Sequence, residues 1–310
     1  MKLIISVDHG NKQTKTKHRV FTSGIVESDT RPAFGSDILK YKEKYYTVSD
    51  KRISYERNKM LDERFYILTL FAIAHELEFA NIDSSNQIIN IQLLVGLPPA
   101  HFGSLSEKFE KHFVRGVVET LEFHGKHYKI FISGAYAFPQ AYAATMLIRQ
   151  DIETYPKCAI IDIGGFTADY LAMRYGEMDP SLFGSLENGV FFLYNPIIER
   201  VNSDFDILLT ESDIDDIILG RQSEFPANVC RIVRNGAQTF INDLISKLRE
   251  RSIDLRTGKS VFVGGGSILL KKQIESSDKI GNPIFIDRVT ANAEGYEMLY
   301  DYFIRQQEGV

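Results

Sequence analysis

The sequence predicts an α/β protein made of two similar halves, and three observations carry that reading. A short apolar run, Leu3-Ile4-Ile5-Ser6-Val7, stops at Asp8-His9-Gly10. The same order of strand, Asp, any residue and Gly returns in Cys158-Ala159-Ile160-Ile161-Asp162-Ile163-Gly164-Gly165. A third apolar run, Ser260 to Val263, ends in Gly264-Gly265-Gly266-Ser267, and stretches of helical spacing separate the three. With 310 residues, 44% hydrophobic and 25% charged, the chain has room for two domains and enough apolar material to fold them. A disordered or fibrous chain is excluded on the same grounds.

The elements follow in order. After Gly10, polar residues run to His18, and Arg19 to Val26 is a second apolar piece, a hairpin pattern. Residues 27–62 are polar and broken, with a strand at Lys44 to Val48. Arg64 to Phe79 sets Phe65, Leu68, Phe71, Ala72, His75 and Leu77 at helical spacing. Ile88 to Val95 is a strand ending in Gly96-Leu97-Pro98-Pro99. A charged amphipathic helix is expected over 104–120. A strand is expected from Tyr128 to Ser133, closed by Gly134, with Pro139 in the first turn of the next helix. His124-Gly125-Lys126-His127 reads as a surface turn, because two histidines without a Cys or carboxylate set make a weak metal signal. The second half adds a strand at Tyr170 to Arg174, mostly helix over 190–257, and a last helix over about 292–306.

Lys+Arg is 36 and Asp+Glu is 41, a net charge of −5. That argues against direct nucleic-acid binding, and the basic run Lys12 to Arg19 fits a solvated strand end or phosphate contacts. Cys158 and Cys230 have no CxxC partners, which fits a reduced, cytoplasmic protein. The apolar start is too short for a signal peptide, and the longest apolar stretch, around Phe65 to Ala74, is far short of a membrane span.

Glycine-rich turns at strand ends bring backbone N–H groups close to phosphate oxygens. An aspartate at the same place supplies an anionic oxygen for Mg²⁺, directly or through its waters. Asp8, Asp162 and the glycines Gly10, Gly164, Gly165, Gly264, Gly265 and Gly266 fit that chemistry. Asp169 fits a hairpin residue, and Cys158 a buried small hydrophobe.

These motifs resemble those of the actin, Hsp70 and sugar-kinase ATPase superfamily. Asp8-His9-Gly10-Asn11-Lys12-Gln13-Thr14-Lys15 is similar to its first phosphate loop, and Asp162 to Asp169 to its second. Val263-Gly264-Gly265-Gly266-Ser267 is similar to its adenosine loop. Gly96-Leu97-Pro98, the Asp-Ile-Gly-Gly-x-Thr-x-Asp form of the second loop and a compact insertion at 23–75 point to bacterial plasmid-segregation actins of the ParM/StbA type. The resemblance implies an actin-like ATPase fold, two RNase H-like domains flanking a nucleotide cleft, each with an inserted subdomain. Domain I would span 1–150, with its insertion at about 23–75 and the helix 292–306 packed back on it. Domain II would span 151–310, with its insertion at about 190–257.

The resemblance also assigns roles. Asp8 and Asp162 would hold hydrated Mg²⁺. Gly10, Asn11, Gly164, Gly165, Thr167 and Gly189 would contact phosphates, and Lys15 would bring a positive charge. Gly264, Gly265, Gly266 and Ser267 would back the adenosine. Gln140 would orient the attacking water, where ParM proteins have a Glu. The implied cofactors are ATP, or GTP, with Mg²⁺. The implied function is a filament-forming ATPase of the bacterial cytoplasm that segregates plasmid DNA. Its partners would be further copies of itself and a DNA-binding adaptor on a centromere-like site, with no membrane. The alternatives are a monomeric superfamily ATPase, acting as a small-molecule kinase or chaperone-like reactivating factor, and a nucleotide-binding protein without turnover.

Overall fold

A computed structural model describes residues 2–33, 35, 37–49, 51–52, 59–82, 87–221 and 223–308. The chain divides into two compact units, residues 1–147 with 290–310 and residues 148–289.

The first unit opens with β1 (Lys2–His9), β2 (Gln13–Lys15), β3 (Val20–Thr22), β4 (Ile25–Ser28), β5 (Ile38–Tyr41) and β6 (Lys44–Val48). It continues through α1 (Glu63–Phe79), β7 (Ile88–Leu97), α2 (Pro99–Phe113), β8 (Glu119–Phe123), β9 (Lys126–Pro139) and the single turn α3 (Tyr142–Thr145). Among the described residues its nine strands run in the order β3-β2-β1-β7-β9-β8-β5-β6-β4. β1, β7 and β9 are parallel, and β2 and β3 add antiparallel on one side. Helix α1 starts where Asp62 accepts from the Arg64 backbone N–H, a regular N-cap. Its residues Phe65 to Ala74 are all buried, so its continuous apolar run is that of a core helix. Of the stretch 23–75, residues 34, 36, 50 and 53–58 lie outside the described residues.

The second unit contains α4 (Arg149–Ile152), β10 (Cys158–Ile163), β11 (Ala168–Arg174), β12 (Glu177–Leu186), α5 (Phe191–Phe205), α6 (Glu211–Leu219) and α7 (Ala227–Glu250). It closes with β13 (Lys259–Val263), α8 (Gly264–Leu269), α9 (Lys271–Glu275) and β14 (Pro283–Phe285). Its sheet runs β12-β11-β10-β13-β14, with β11 antiparallel to β10 and β13 parallel to it. The five strands β3-β2-β1-β7-β9, counted from one edge of the first sheet, repeat this pattern, so the sequence echo is a repeat of topology. In both units the aspartate is the last residue but one of the first strand, and the residue seven positions later sits opposite it on the antiparallel neighbour. That residue is Lys15 opposite Asp8, and Asp169 opposite Asp162.

Several elements differ from the sequence reading. The Arg19 to Val26 piece is two strands, broken at Ser23-Gly24. The helix expected at 104–120 is α2, which begins at Pro99, because Pro98-Pro99 starts a helix with no backbone N–H to waste, and which ends at Phe113, with Glu119 and Thr120 already in β8. Gly134 does not close its strand. Ser133 is the extra residue of a bulge, so Ile91 faces Ile132 while Gln92 faces Gly134. A Cβ at 134 would lie 2.7 Å from the Gln92 amide nitrogen, which explains the glycine. Beyond the bulge β9 stays paired to Pro139 opposite Leu97, so Pro139 is a strand residue and Gln140 lies in the turn after it. Gly264 to Ser267 form the first turn of α8 rather than a free loop.

The last helix, α10 (Ala291–Glu308), returns to the first unit and packs on α3, β7 and β1. Glu297 ties it down by accepting from Ser6 Oγ at 3.1 Å and from Lys17 Nζ at 2.7 Å. Gly295 lets the helix approach α3 so closely that a Cβ there would run into the Ala143 carbonyl. Intrinsic helix propensity favours Ala over Gly by about 1 kcal/mol. We therefore expect Gly295→Ala to reverse that sign and destabilise the protein by about 1–3 kcal/mol, read by urea unfolding.

Candidate functional site

The first unit gathers its candidates around Asp8. The side chain is 2% exposed, at the end of a buried strand. Register places Lys15 opposite, with Nζ 3.2 Å from Asp8 Oδ2. Gln140 Nε2 donates to Asp8 Oδ1 at 2.7 Å. Burial pushes the Asp8 carboxyl up, but the charges of Lys15 and Lys59 and the hydrogen bonds from Lys15 and Gln140 outweigh it and leave its pKa below the usual carboxylate value. Asp8 is therefore an anion at neutral pH, and its stabilising contribution disappears only as pH falls through that lowered value.

The loop after Asp8 is held by short polar contacts. Gly10 N–H donates to the Asp8 carbonyl at 3.1 Å, and Ser23 Oγ donates to the Gly10 carbonyl at 2.6 Å. Ser23 N–H donates to the Lys12 carbonyl, and the Ser23 and Thr14 hydroxyls meet at 2.9 Å. Gly10 and Asn11 are half-buried within this frame. Lys59 donates to the His9 carbonyl, a second cation at the loop that the sequence reading missed. It lies about fifty residues away in a polar, broken stretch, and no local pattern marks it.

Gln140 is placed by an unusual turn. Its N–H donates to the Leu97 carbonyl at 2.8 Å, and its carbonyl accepts from Tyr142 N–H at 2.7 Å. That closes a γ-turn on Ala141, whose φ of 64° and ψ of −53° are strained for a residue with a Cβ. Such a conformation costs about 1–3 kcal/mol and persists only where surroundings hold it. Here Ala141 N–H donates to Asn292 Oδ1 of α10 at 3.0 Å. Asn292, 6% exposed, is a second residue that the sequence reading passed over.

The second unit gathers the others. Asp162 and Asp169 face each other at the ends of β10 and β11 and are both buried. Two directly opposed carboxylates repel unless a cation or hydrogen bonds compensate them. Gly164 N–H donates to the Thr167 carbonyl at 2.8 Å, closing the turn that carries Gly165. Gly189 N–H donates to the Phe166 carbonyl at 2.8 Å, and Val190 and Phe191 N–H groups bond back to the Gly164 and Gly165 carbonyls. Gly189 thus belongs to the same cluster. Gly264 has φ of 87°, and a Cβ there would collide with Asp162 Oδ1, so only glycine fits. Gly266 packs on Ile163 and Val190, and Gly265 has open space where a Cβ would stand. Lys247 of α7 donates to Asn188 Oδ1 beside Gly189.

The expected site residues therefore form two sets. Asp8, Gly10, Asn11, Lys15 and Gln140 come together in the first unit. Asp162, Gly164, Gly165, Thr167, Gly189, Gly264, Gly265, Gly266 and Ser267 come together in the second. The residues suit a polyphosphate and Mg²⁺. Buried Ser267 Oγ and Asn188 Nδ2 have no hydrogen-bond partner among the described residues, and a glycine cradle opens beside an aspartate pair. Asp8 uses both oxygens, yet each carboxylate oxygen carries a further lone pair for a metal-bound water. Among the described residues no group of three or more His, Cys, Asp or Glu could hold a metal by itself.

Comparison with known proteins shows the family. Residues 6–142 match the family "Actin like proteins N terminal domain", and residues 160–276 match "Archaeal actin homologue MreB-like, C-terminal". The chain belongs to the actin-like proteins. Its fold is the two-domain actin-like fold seen in Ta0583, an archaeal actin homolog (18% identity, TM-score 0.76), over 97% of this chain and 99% of that one. A ParM from Clostridium botulinum, in a 15-stranded filament, is 20% identical with TM-score 0.75 over 97% and 99%. Bacillus thuringiensis ParM with ATP is 14% identical with TM-score 0.66 over 99% of each chain. A search of curated protein sequences gave no match. Among the described residues of this actin-like chain, no helix is long and apolar enough to cross a membrane.

The setting of His9 gives a test. It is fully buried beneath the Asp8 turn, with Nε2 2.7 Å from Thr69 Oγ1 and its ring stacked on Phe113. Burial first, and then Lys59, lowers its pKa from 6.5 to about 3. A neutral native imidazole stabilises the fold above the unfolded pKa of 6.5, and that stability drains away as pH falls toward 3. Between pH 6 and 4, the unfolding constant of the wild type should rise about tenfold per pH unit more than that of His9→Gln. Denaturant unfolding at a series of pH values measures this, and equal slopes would show that His9 is not buried neutral.

Proposed function

We propose that this actin-like chain binds Mg-ATP, hydrolyses it to ADP and phosphate, and polymerises in its ATP state. The observation that carries the reading is the Asp8 set: a buried carboxylate pinned between Lys15 and Gln140 beside a glycine turn. The second unit's glycine cluster serves the same nucleotide, with Gly164, Gly165, Thr167 and Gly189 toward the phosphates and Gly264 to Ser267 toward the adenosine. Asp8 and Asp162 hold hydrated Mg²⁺, which supplies charge neutralisation on the phosphates when bound. Lys15 adds positive charge, and Gln140 orients water, since an amide can position it but is too weak a base to deprotonate it. Support comes from relatives of the same fold: structures are known of Ta0583 in complex with ADP, of B. thuringiensis ParM with ATP, and of a C. botulinum ParM filament.

The cellular role we propose is plasmid segregation in a bacterial cytoplasm, through an adaptor that contacts DNA. The net charge of −5 fits an indirect contact. A head-to-tail contact that does not close into a ring grows into a helix, and a better fit of that contact to the ATP state couples growth to nucleotide.

Two measurements test the proposal. Phosphate release from Mg-ATP should vanish in Asp162→Ala and fall about 100-fold in Gln140→Ala with nucleotide binding largely kept. Turnover unchanged by Asp162→Ala would refute the site. Sedimentation and negative-stain microscopy should show polymers with ATP or a non-hydrolysable analogue and their loss with ADP. A chain that hydrolyses ATP yet stays monomeric with every nucleotide would favour a monomeric kinase or chaperone-like ATPase.

A further inference from the structure

We propose that Asn292 is the positioning residue for Gln140, so that the C-terminal helix sets the water-orienting amide. The inference rests on the role given to Gln140 above. Gln140 reaches Asp8 Oδ1 because the backbone reverses at Ala141. A γ-turn at an alanine does not hold itself. Two of its polar anchors are main-chain bonds, from Gln140 N–H to the Leu97 carbonyl and from Tyr142 N–H to the Gln140 carbonyl. The third is the Asn292 side chain, which takes the Ala141 N–H at 3.0 Å. That N–H belongs to the strained residue itself, and Asn292 is buried, so water does not replace the bond cheaply. The helix cannot slide away, because Gly295 seats it on Ala143 and Glu297 is tied to Ser6 and Lys17. Gln140 is also fixed from the other side, where a Cβ at Gly96 would stand 3.0 Å from its Cγ. Its bond is to the backbone N–H next to Gln140, so Asn292 acts through the direction in which Gln140 leaves the backbone.

The test compares Asn292→Leu, which keeps the branched shape, is somewhat larger and loses the acceptor, with Asn292→Asp, which keeps an acceptor oxygen. Amide hydrogen exchange at Ala141, read by NMR on the nucleotide-free full chain, should speed up at least tenfold in Asn292→Leu and stay near wild type in Asn292→Asp. In hydrolysis, Asn292→Leu should lose about 10- to 100-fold in kcat, as expected for a misplaced group, with the Kd for ADP within about twofold. Asn292→Asp should return kcat to within about threefold of wild type. Unchanged exchange at Ala141 in Asn292→Leu would overturn the inference, as would a loss of ADP affinity as large as the loss of kcat. Equal kcat losses in the Leu and Asp variants would also overturn it. The exchange arm needs no turnover, so a wild type without ATPase activity would count against the proposed function and leave the anchoring of Gln140 decided separately.

Discussion

A buried negative charge at the end of the first strand organises the first unit. Asp8 is taken out of water by the strand that carries it, and an isolated carboxylate in that place would protonate. It stays ionised because Lys15 lies opposite in the hairpin register, Lys59 stands near, and Gln140 donates from the turn after β9. Each compensating group comes from a different element. The register of β1 with β2, the length of β9 beyond its bulge, and the docking of α10 behind the Gln140 turn are all tied to the same carboxylate. Removing Lys15 or Gln140 would leave charge or a lone pair unsatisfied in a protected place, which is dearer than losing a surface pair.

The second unit uses the same topology with the opposite charge logic. Where the first repeat places a lysine across from its aspartate, the second places Asp169. The aspartate pair is flanked by a glycine whose missing Cβ makes room for an Asp162 oxygen. The two repeats thus differ by one residue at a shared offset of seven.

Much of this was legible in the sequence. The three strand-end glycine turns, the two aspartates and Lys15 stood in local motifs, and the echo between Asp8-x-Gly10 and Asp162-x-Gly164 became a repeat of strand order. What failed did so for local reasons. Gly134 looked like a strand end but serves a bulge against Gln92, so the strand ran on and Gln140 moved from a helix into a turn. Gly264 to Gly266 looked like a loop but begin a helix, since Gly264 alone takes the left-handed step. Lys59 and Asn292 could not be read at all. Each acts across a long sequence separation, and neither lies in a pattern that periodicity or turn chemistry exposes.

The central proposal is that the strand-end sets of this chain bind Mg-nucleotide. Calorimetric titration of the purified chain with a non-hydrolysable ATP analogue tests it most directly, in the presence and absence of Mg²⁺ and for Lys15→Ala and Gly264→Val beside wild type. The account predicts one nucleotide per chain, tighter binding with Mg²⁺, and a loss of affinity from either substitution, one in each unit. Full-affinity binding that ignores one of the two substitutions in a folded variant would contradict it.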